Sequence, residues 1–333
     1  MARIVLTHTR LDRKDKYGDA AVAGLNALGS LAVHDGDEPL SVDGLIHLAR
    51  DADVIVLDRM VPGEARLFSA LPGLVAVHRA AMDIRNIDIP AASAAGVLVT
   101  RAGPGFIPAV TELILGQMVD LARGMSRHVA EYRAGIVPPQ RPSMQLAGRT
   151  AGIAGFGNLG RRMAEILAFM GMRVLVSDPE ANIPSAYERA DLDRLAAESD
   201  FLLCLVIHSP KTEKLMNAQV FRRMKPTAFF LNHSRGGLVD EDDLKRALDE
   251  DWIAGAALDV GRAPPDDTPP LALGRHPKVL ATPHVGGMVP DSVASQAADT
   301  VEQVASVLAG KIPKYAVNPD AATRLAQRRP PMP

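Results

Sequence analysis

At 333 residues the chain is long enough for two domains, each burying its own core. Its 47% hydrophobic and 23% charged residues are ordinary for a folded globular protein, and a formal net charge of −2 offers no global attraction to nucleic acid or an anionic membrane. A single cysteine, Cys204, excludes an internal disulfide framework and suits a reducing compartment.

The N-terminal run reads as a strand at residues 4–7, with no cationic stretch ahead of a long apolar one, so no signal peptide is expected. No apolar segment approaches the roughly twenty residues that span a bilayer, and the expected location is the cytoplasm, with no membrane partner. Further β-type runs at 54–57, 74–77 and 97–100 alternate with helical patterns, which is the signature of βαβ units and a parallel sheet. A longer helical pattern follows at 107–132, with Leu113, Ile114, Met118, Leu121 and Met125 in one stripe. The Pro-containing stretch 140–146 reads as a loop.

The most specific signal comes next. The apolar run Thr150-Ala151-Gly152-Ile153-Ala154 leads into Gly155-Phe156-Gly157-Asn158-Leu159-Gly160, then a helix with Leu159, Met163, Ile166, Leu167 and Met170 on one face. A second apolar run, 172–177, ends in Asp178, eighteen residues after the third glycine. Strand, glycine turn, helix, strand and acid, in that order, make a dinucleotide site. Gly155 permits the sharp turn, Gly157 lets backbone amides approach a pyrophosphate, and Gly160 allows helix to pack on strand. The helix start, at Asn158 and Leu159, offers N–H groups to the anion, and Asp178 accepts from the adenosine ribose hydroxyls. A carboxylate there repels a 2′-phosphate, and the neighbours Pro179 and Glu180 add no cation, so NAD is expected rather than NADP.

With the motif placed as late as 155, the N-terminal unit of about 100 residues is left for another task, substrate binding and closure. Strands at 153, 174–176, 202–206, 228–231, 254–258 and 279–281 complete a second parallel set, with Cys204 as a small core residue. The strand at 228–231 runs into Asn232-His233-Ser234-Arg235-Gly236-Gly237, and Arg235 is well placed for a bidentate grip on a carboxylate. The plainer alternative is a salt bridge to Asp240 or Glu241 at the next helix start. The strand at 279–281 runs into Thr282-Pro283-His284-Val285-Gly286-Gly287, and an imidazole at such a strand end is a candidate acid–base. The other histidines are read as structural, with His208 and His233 as neighbours of the cofactor segments. No HExxH, paired CxxC or GxSxG occurs, and no metal is expected. A last helical pattern at 290–308 is expected to return to the first domain, and a tail with Arg324, Arg328 and Arg329 ends the chain.

Taken together, these segments resemble the D-isomer-specific 2-hydroxyacid dehydrogenase family over about residues 74 to 310. The resemblance implies an α/β fold of two Rossmann-like domains with parallel sheets, a flavodoxin-like substrate domain and an NAD-binding Rossmann domain. The corresponding boundaries are 1–100 with 288–315 for the substrate domain, 101–287 for the NAD-binding domain, and 316–333 for a flexible tail. The implied reaction interconverts a 2-keto acid and its (R)-2-hydroxy acid, with Arg235 binding the carboxylate and His284 as acid/base. Asp259, in Gly255-Ala256-Ala257-Leu258-Asp259-Val260, would hold the nicotinamide carboxamide, and Val206, Thr212, Asn232, Ser234 and Gly286 would line the cofactor. Ala81 and Met82 would meet substrate. Family members are usually homodimers.

Two positions depart from the family. Pro264 stands where a glutamate normally orients the catalytic histidine, leaving Asp266 and Asp267 as candidate substitutes. In the first domain, His78 to Asp88 replaces a glycine-rich loop, with Ala81 and Asp83 in place of glycines, so Arg79 or Arg85 must neutralise Asp83 beside an anionic substrate. The missing glutamate is also what an NAD(H)-binding sensor on a dehydrogenase scaffold would show.

Overall fold

The structure, a computed structural model, describes residues 1–264 and 267–327. Asp266, Arg328 and Arg329 therefore lie outside the described residues. The chain divides into two compact units, Met1–Phe106 with the segment from Pro290, and Ile107–Val289.

The first unit starts β1 (Arg3–Leu6), α1 (Arg10–Asp15), α2 (Asp19–Leu28), β2 (Ser30–Val33), α3 (Val42–Leu48), β3 (Val54–Leu57), α4 (Ala65–Ala70), β4 (Ala76–Arg79), α5 (Ile89–Ala94) and β5 (Leu98–Arg101). The sheet is parallel in the order β2-β1-β3-β4-β5, the flavodoxin-like arrangement. β3 is buried along its whole length, as a strand covered on both faces must be. Helices start where side chains accept orphan N–H groups: Ser41 from Gly44, and Asp88 from Ala91 with proline in the first turn. β2 escaped the sequence reading because it is a short, half-exposed edge strand that starts one residue after the cap of the apolar helix α2.

The second unit comprises α6 (Ile107–Arg123), α7 (Met125–Arg133), β6 (Thr150–Ala154), α8 (Asn158–Phe169), β7 (Arg173–Ser177), β8 (Glu188–Arg189), α9 (Leu192–Glu198), β9 (Phe201–Cys204), α10 (Ala218–Arg223), β10 (Phe229–Asn232), α11 (Glu241–Asp249), β11 (Gly255–Leu258), α12 (Leu271–Gly274) and β12 (Val279–Ala281). Its seven-stranded sheet runs β12-β11-β10-β9-β6-β7-β8, all parallel, so the order reverses between β6 and β9. The single helix expected at 107–132 is two: Gly124 takes φ +62°, which ends α6, and the Asp120 carboxylate accepts the Ser126 N–H at the start of α7. The core packs Phe221 edge-on to Phe230, with ring centroids 5.2 Å apart, among Leu202, Leu244, Leu248 and Ile253. Cys204 is fully buried there, and burial pushes its thiol up to about 12, so it is a core residue.

From Pro290 the chain rejoins the first unit as α13 (Pro290–Leu308), whose Ala297, Val304 and Val307 are buried with Leu25 of α2. Gly24 of α2 permits this approach, since a Cβ there would stand 3.0 Å from Val301. Residues 316–327 are docked, in place of the loose end expected. Val317 N donates to Val99 O, the Asn318 amide bonds Val97 O and Ser93, and α14 (Thr323–Ala326) buries Leu325. A tail rich in Pro and Arg gives no periodic signal, and it is side-chain bonds to distant carbonyls that seat it.

Candidate active site

Register fixes what meets at the carboxyl edge of the second unit's sheet. Ala154 is level with Ser177 and Cys204, Cys204 with Asn232, Asn232 with Leu258, and Leu258 with Ala281. The segments after six strands therefore open on one edge, and each of the six contains residues singled out from the sequence.

After β6, Gly155 takes φ +94°, and a Cβ there would stand 2.6 Å from the Leu205 carbonyl. A Cβ on Gly160 would be 2.1 Å from Gly155 O, so helix packs on turn only with glycine. At Gly157 a Cβ would meet nothing, so the chain's own packing does not demand glycine there. α8 starts at Asn158 with Gly157 as N-cap and no side-chain cap, which leaves first-turn N–H groups at Asn158, Leu159 and Gly160 without an intrahelical acceptor. Asp178, after β7, accepts N–H groups of Phe156 at 2.7 Å, Glu180 at 3.0 Å and Ala181 at 2.9 Å. Burial opposes its charge, but these three bonds and nearby Arg189 outweigh it and hold the carboxyl below its usual range. Pro179 and Glu180 add no cation, but the fold brings one from farther along the chain: the Arg189 guanidinium donates to Asp178 O at 2.9 Å and Ala181 O at 2.7 Å. It lies in β8, a two-residue exposed strand with no sequence signal.

After β9, Val206 O accepts the Ser234 hydroxyl at 2.6 Å, tying two strand ends together. The Thr212 hydroxyl is an internal brace, donating to Ile207 O at 2.8 Å. The Asn232 amide donates to Arg235 O at 3.0 Å and accepts Ser234 N, so it shapes the turn that presents Arg235. Asp240 and Glu241, the partners proposed by the plainer reading of Arg235, are engaged by Lys214 at 3.0 Å and by the Arg262 N–H at 2.9 Å. His208 lies over Gly237 and bonds Glu213 at 2.6 Å, and Glu213 also pairs with Arg262. Asp259, 3% exposed, accepts Thr282 Oγ1 at 2.6 Å and Val285 N at 3.0 Å on Oδ1, and Gly286 N at 2.9 Å on Oδ2. His284 sits between those donors at φ +56°. Pro264 lies in a loop closed by Ala263 and Thr268, where Asp267 contributes its backbone carbonyl to Gly261 N at 2.7 Å.

Two further polar residues join this edge: Gln117, which no motif marked, and His233, read from the sequence as a structural neighbour of the cofactor segments. Gln117 of α6 donates to Thr282 Oγ1 at 3.2 Å, and His233 Nε2 bonds Gln117 Oε1 at 2.8 Å. A glutamine inside the apolar stripe of α6 was the one available hint. Among the described residues no group of three or more His, Cys, Asp or Glu is placed to hold a metal ion, and none of the helices is long and apolar enough to cross a membrane.

In the first unit, Ala81 and Met82 lie in the half-buried loop after β4. Arg79, 1% exposed, holds that loop by donating to the carbonyls of Asp58, Arg59 and Asp83 and to the Asn86 side chain. Burial lowers its pKa to about 10. Neutralisation of Asp83 falls to Arg85, which contacts both carboxylate oxygens at 2.7–3.0 Å.

Residues 115–286 match the family described as D-isomer specific 2-hydroxyacid dehydrogenase, NAD binding domain. The chain is 32% identical over 304 residues to D-3-phosphoglycerate dehydrogenase of Synechocystis sp., covering 89% of this chain and 54% of the relative. It is 30% identical over 272 residues to hydroxypyruvate reductase of Thermotoga maritima, covering 80% of this chain and 88% of that one. The chain thus spans about half the length of the phosphoglycerate dehydrogenases it matches. A crystal structure of D-lactate dehydrogenase with NAD+ from Lactobacillus jensenii superposes with a TM-score of 0.81 at 23% identity, over 95% of this chain and 99% of the other, which speaks for the shared fold. With its NAD-binding domain matched and both sheets in the order found here, the chain belongs to the D-isomer-specific 2-hydroxyacid dehydrogenase family.

Proposed function

We propose that the protein is an NAD-dependent oxidoreductase that interconverts a 2-keto acid and its (R)-2-hydroxy acid. The observation that carries this is the single carboxyl edge holding the glycine turn, Asp178, the Arg235 turn, Asp259 and the His284 turn, one after each of five parallel strands. The residues fit a dinucleotide: open space at Gly157, uncapped N–H groups at α8, and an ionised Asp178. Asp178 favours NAD, and Arg189 binds backbone carbonyls rather than standing free for a 2′-phosphate. When bound as NADH, the cofactor supplies the hydride. Arg235 grips the carboxylate and polarises the carbonyl, and His284 donates the proton to the oxygen. Asp259 keeps an acceptor position on Oδ2 for the carboxamide N–H beside the bond from Gly286. Val206, Asn232, Ser234 and Gly286 shape the cofactor floor. We place the protein in the cytoplasm as a homodimer. The exposed Met125, Val129 and Tyr132 of α7, with Ile136 and Val137 after it, are the apolar surface that supports the dimer.

NADH oxidation with a panel of 2-keto acids tests the reading, with NADPH and Arg235→Ala in parallel. Turnover with NADH that falls roughly a hundredfold in the variant, the worth of one bidentate charged contact, is expected. Tight NADH binding without turnover on any acid would overturn it in favour of a sensor, the reading that Pro264 favours.

A further inference from the structure

His284 has φ +56°, a left-handed conformation that a residue with a Cβ holds only when its surroundings over-determine it. The chain on both sides of it is tied to one buried carboxylate, since Thr282, Val285 and Gly286 all donate to Asp259. Glycine at 286 is required for this, because a Cβ would stand 2.9 Å from Oδ2.

Behind Thr282 the hydrogen bonds have one possible direction. Asp259 accepts on both carboxylate oxygens, the Thr282 hydroxyl gives its proton to Oδ1, and that hydroxyl in turn accepts from the Gln117 amide N–H. The Gln117 carbonyl then faces His233, which must carry its proton on Nε2. Nδ1 of His233 is buried without a partner, as suits a neutral ring of that tautomer.

We infer that Gln117, backed by His233, is a positioning residue that orients the Thr282 hydroxyl and so fixes the Asp259 carboxylate that holds His284 in its left-handed turn. All five residues lie in the second unit, and the inference rests on the reading of His284 as the proton donor. It assigns to α6 and to the residue before Ser234 a part in orienting the histidine in a chain whose usual glutamate position is Pro264.

Gln117→Met keeps volume and removes both bonds, while His233→Gln keeps a donor toward Gln117 and His233→Leu does not. Two readouts are taken: kcat and KM for the accepted keto acid, and hydrogen–deuterium exchange of the 282–286 amides. The expected result for Gln117→Met is a fall in kcat of roughly ten- to a hundredfold, KM within about twofold, and faster exchange at Val285 and Gly286. His233→Gln should stay near wild type, and His233→Leu should follow Gln117→Met. If Gln117→Met does not fold, Thr282→Val removes the hydroxyl alone and is judged by the same criteria. Unchanged kcat and exchange in a folded variant, or equal loss in the two His233 variants, would overturn the inference while leaving the dehydrogenase reading intact. A wild type without turnover would end the dehydrogenase reading, and the exchange data would still decide whether Gln117 holds the turn.

Discussion

His233 allows burial to be tested through pH. Its side chain is 7% exposed, and burial, opposed only by the Asp259 charge, lowers its pKa from 6.5 to about 4. The unfolded chain takes up a proton as the pH drops through 6.5, and the folded chain refuses it until about 4. The stability that neutral His233 supports is therefore complete above pH 6.5 and is lost as pH falls toward 4. The slope in that window is about 1.4 kcal/mol per pH unit, and the whole interval amounts to about 3 kcal/mol. Trp252 is the only tryptophan and lies in the second unit, so its fluorescence during urea unfolding follows the unit that contains His233. It also leaves aside His8 and His78, which burial lowers to about 4 and about 3 in the first unit. Wild type and His233→Gln, measured from pH 7.5 to pH 4.5, should differ by a gap that shifts against wild type by about 3 kcal/mol on acidification. Parallel pH curves for the two proteins would refute a buried neutral His233, and with it the proton assignment along Gln117 and Thr282.

Three further outcomes are expected. Gly160→Ala puts a Cβ 2.1 Å from Gly155 O, so the second unit should lose about 1–3 kcal/mol and NADH affinity should collapse, by Trp252-monitored unfolding and cofactor titration; an intact turn with normal binding would contradict that packing. His284→Asn places a residue tolerant of positive φ at 284, so stability should rise by up to about 1 kcal/mol while turnover is abolished; a less stable variant would mean the turn carries no strain. Asp178→Ala removes an acceptor from three backbone N–H groups and a charge from the ribose position, so the kcat/KM ratio of NADPH to NADH should rise at least about tenfold. An unchanged ratio would remove Asp178 from cofactor selection.

What was legible in the amino-acid order was local. Gly155, Gly157 and Gly160 sit between an apolar run and an amphipathic helix, and that is chemistry written over a few adjacent residues. The alternation of strand and helix patterns likewise implied parallel sheets, because only crossover connections bring successive strands parallel. The motifs around Arg235 and His284 were equally readable, since each lies just past an apolar strand, while Asp259 was marked only by resemblance to the family's motif. Gly124 was visible too, but a glycine inside a helical stripe does not announce a break until its φ is known.

What only the tertiary structure decided depends on contacts between residues far apart in sequence. Gln117 and His233 are 116 positions apart, and their bond exists because α6 and the turn after β10 come together in the second unit. Arg189 reaches the Asp178 carbonyl through a two-residue strand too short for any periodicity. Arg85, rather than Arg79, neutralises Asp83, because Arg79 is buried among carbonyls that only the fold assembles. Residues 316–327 dock because Asn318 finds carbonyl and hydroxyl partners more than 200 positions away. Sequence patterns follow backbone periodicity and turn geometry, which are local. The partners of buried polar groups are settled by packing, where an unpaired donor or acceptor costs free energy that no local pattern records.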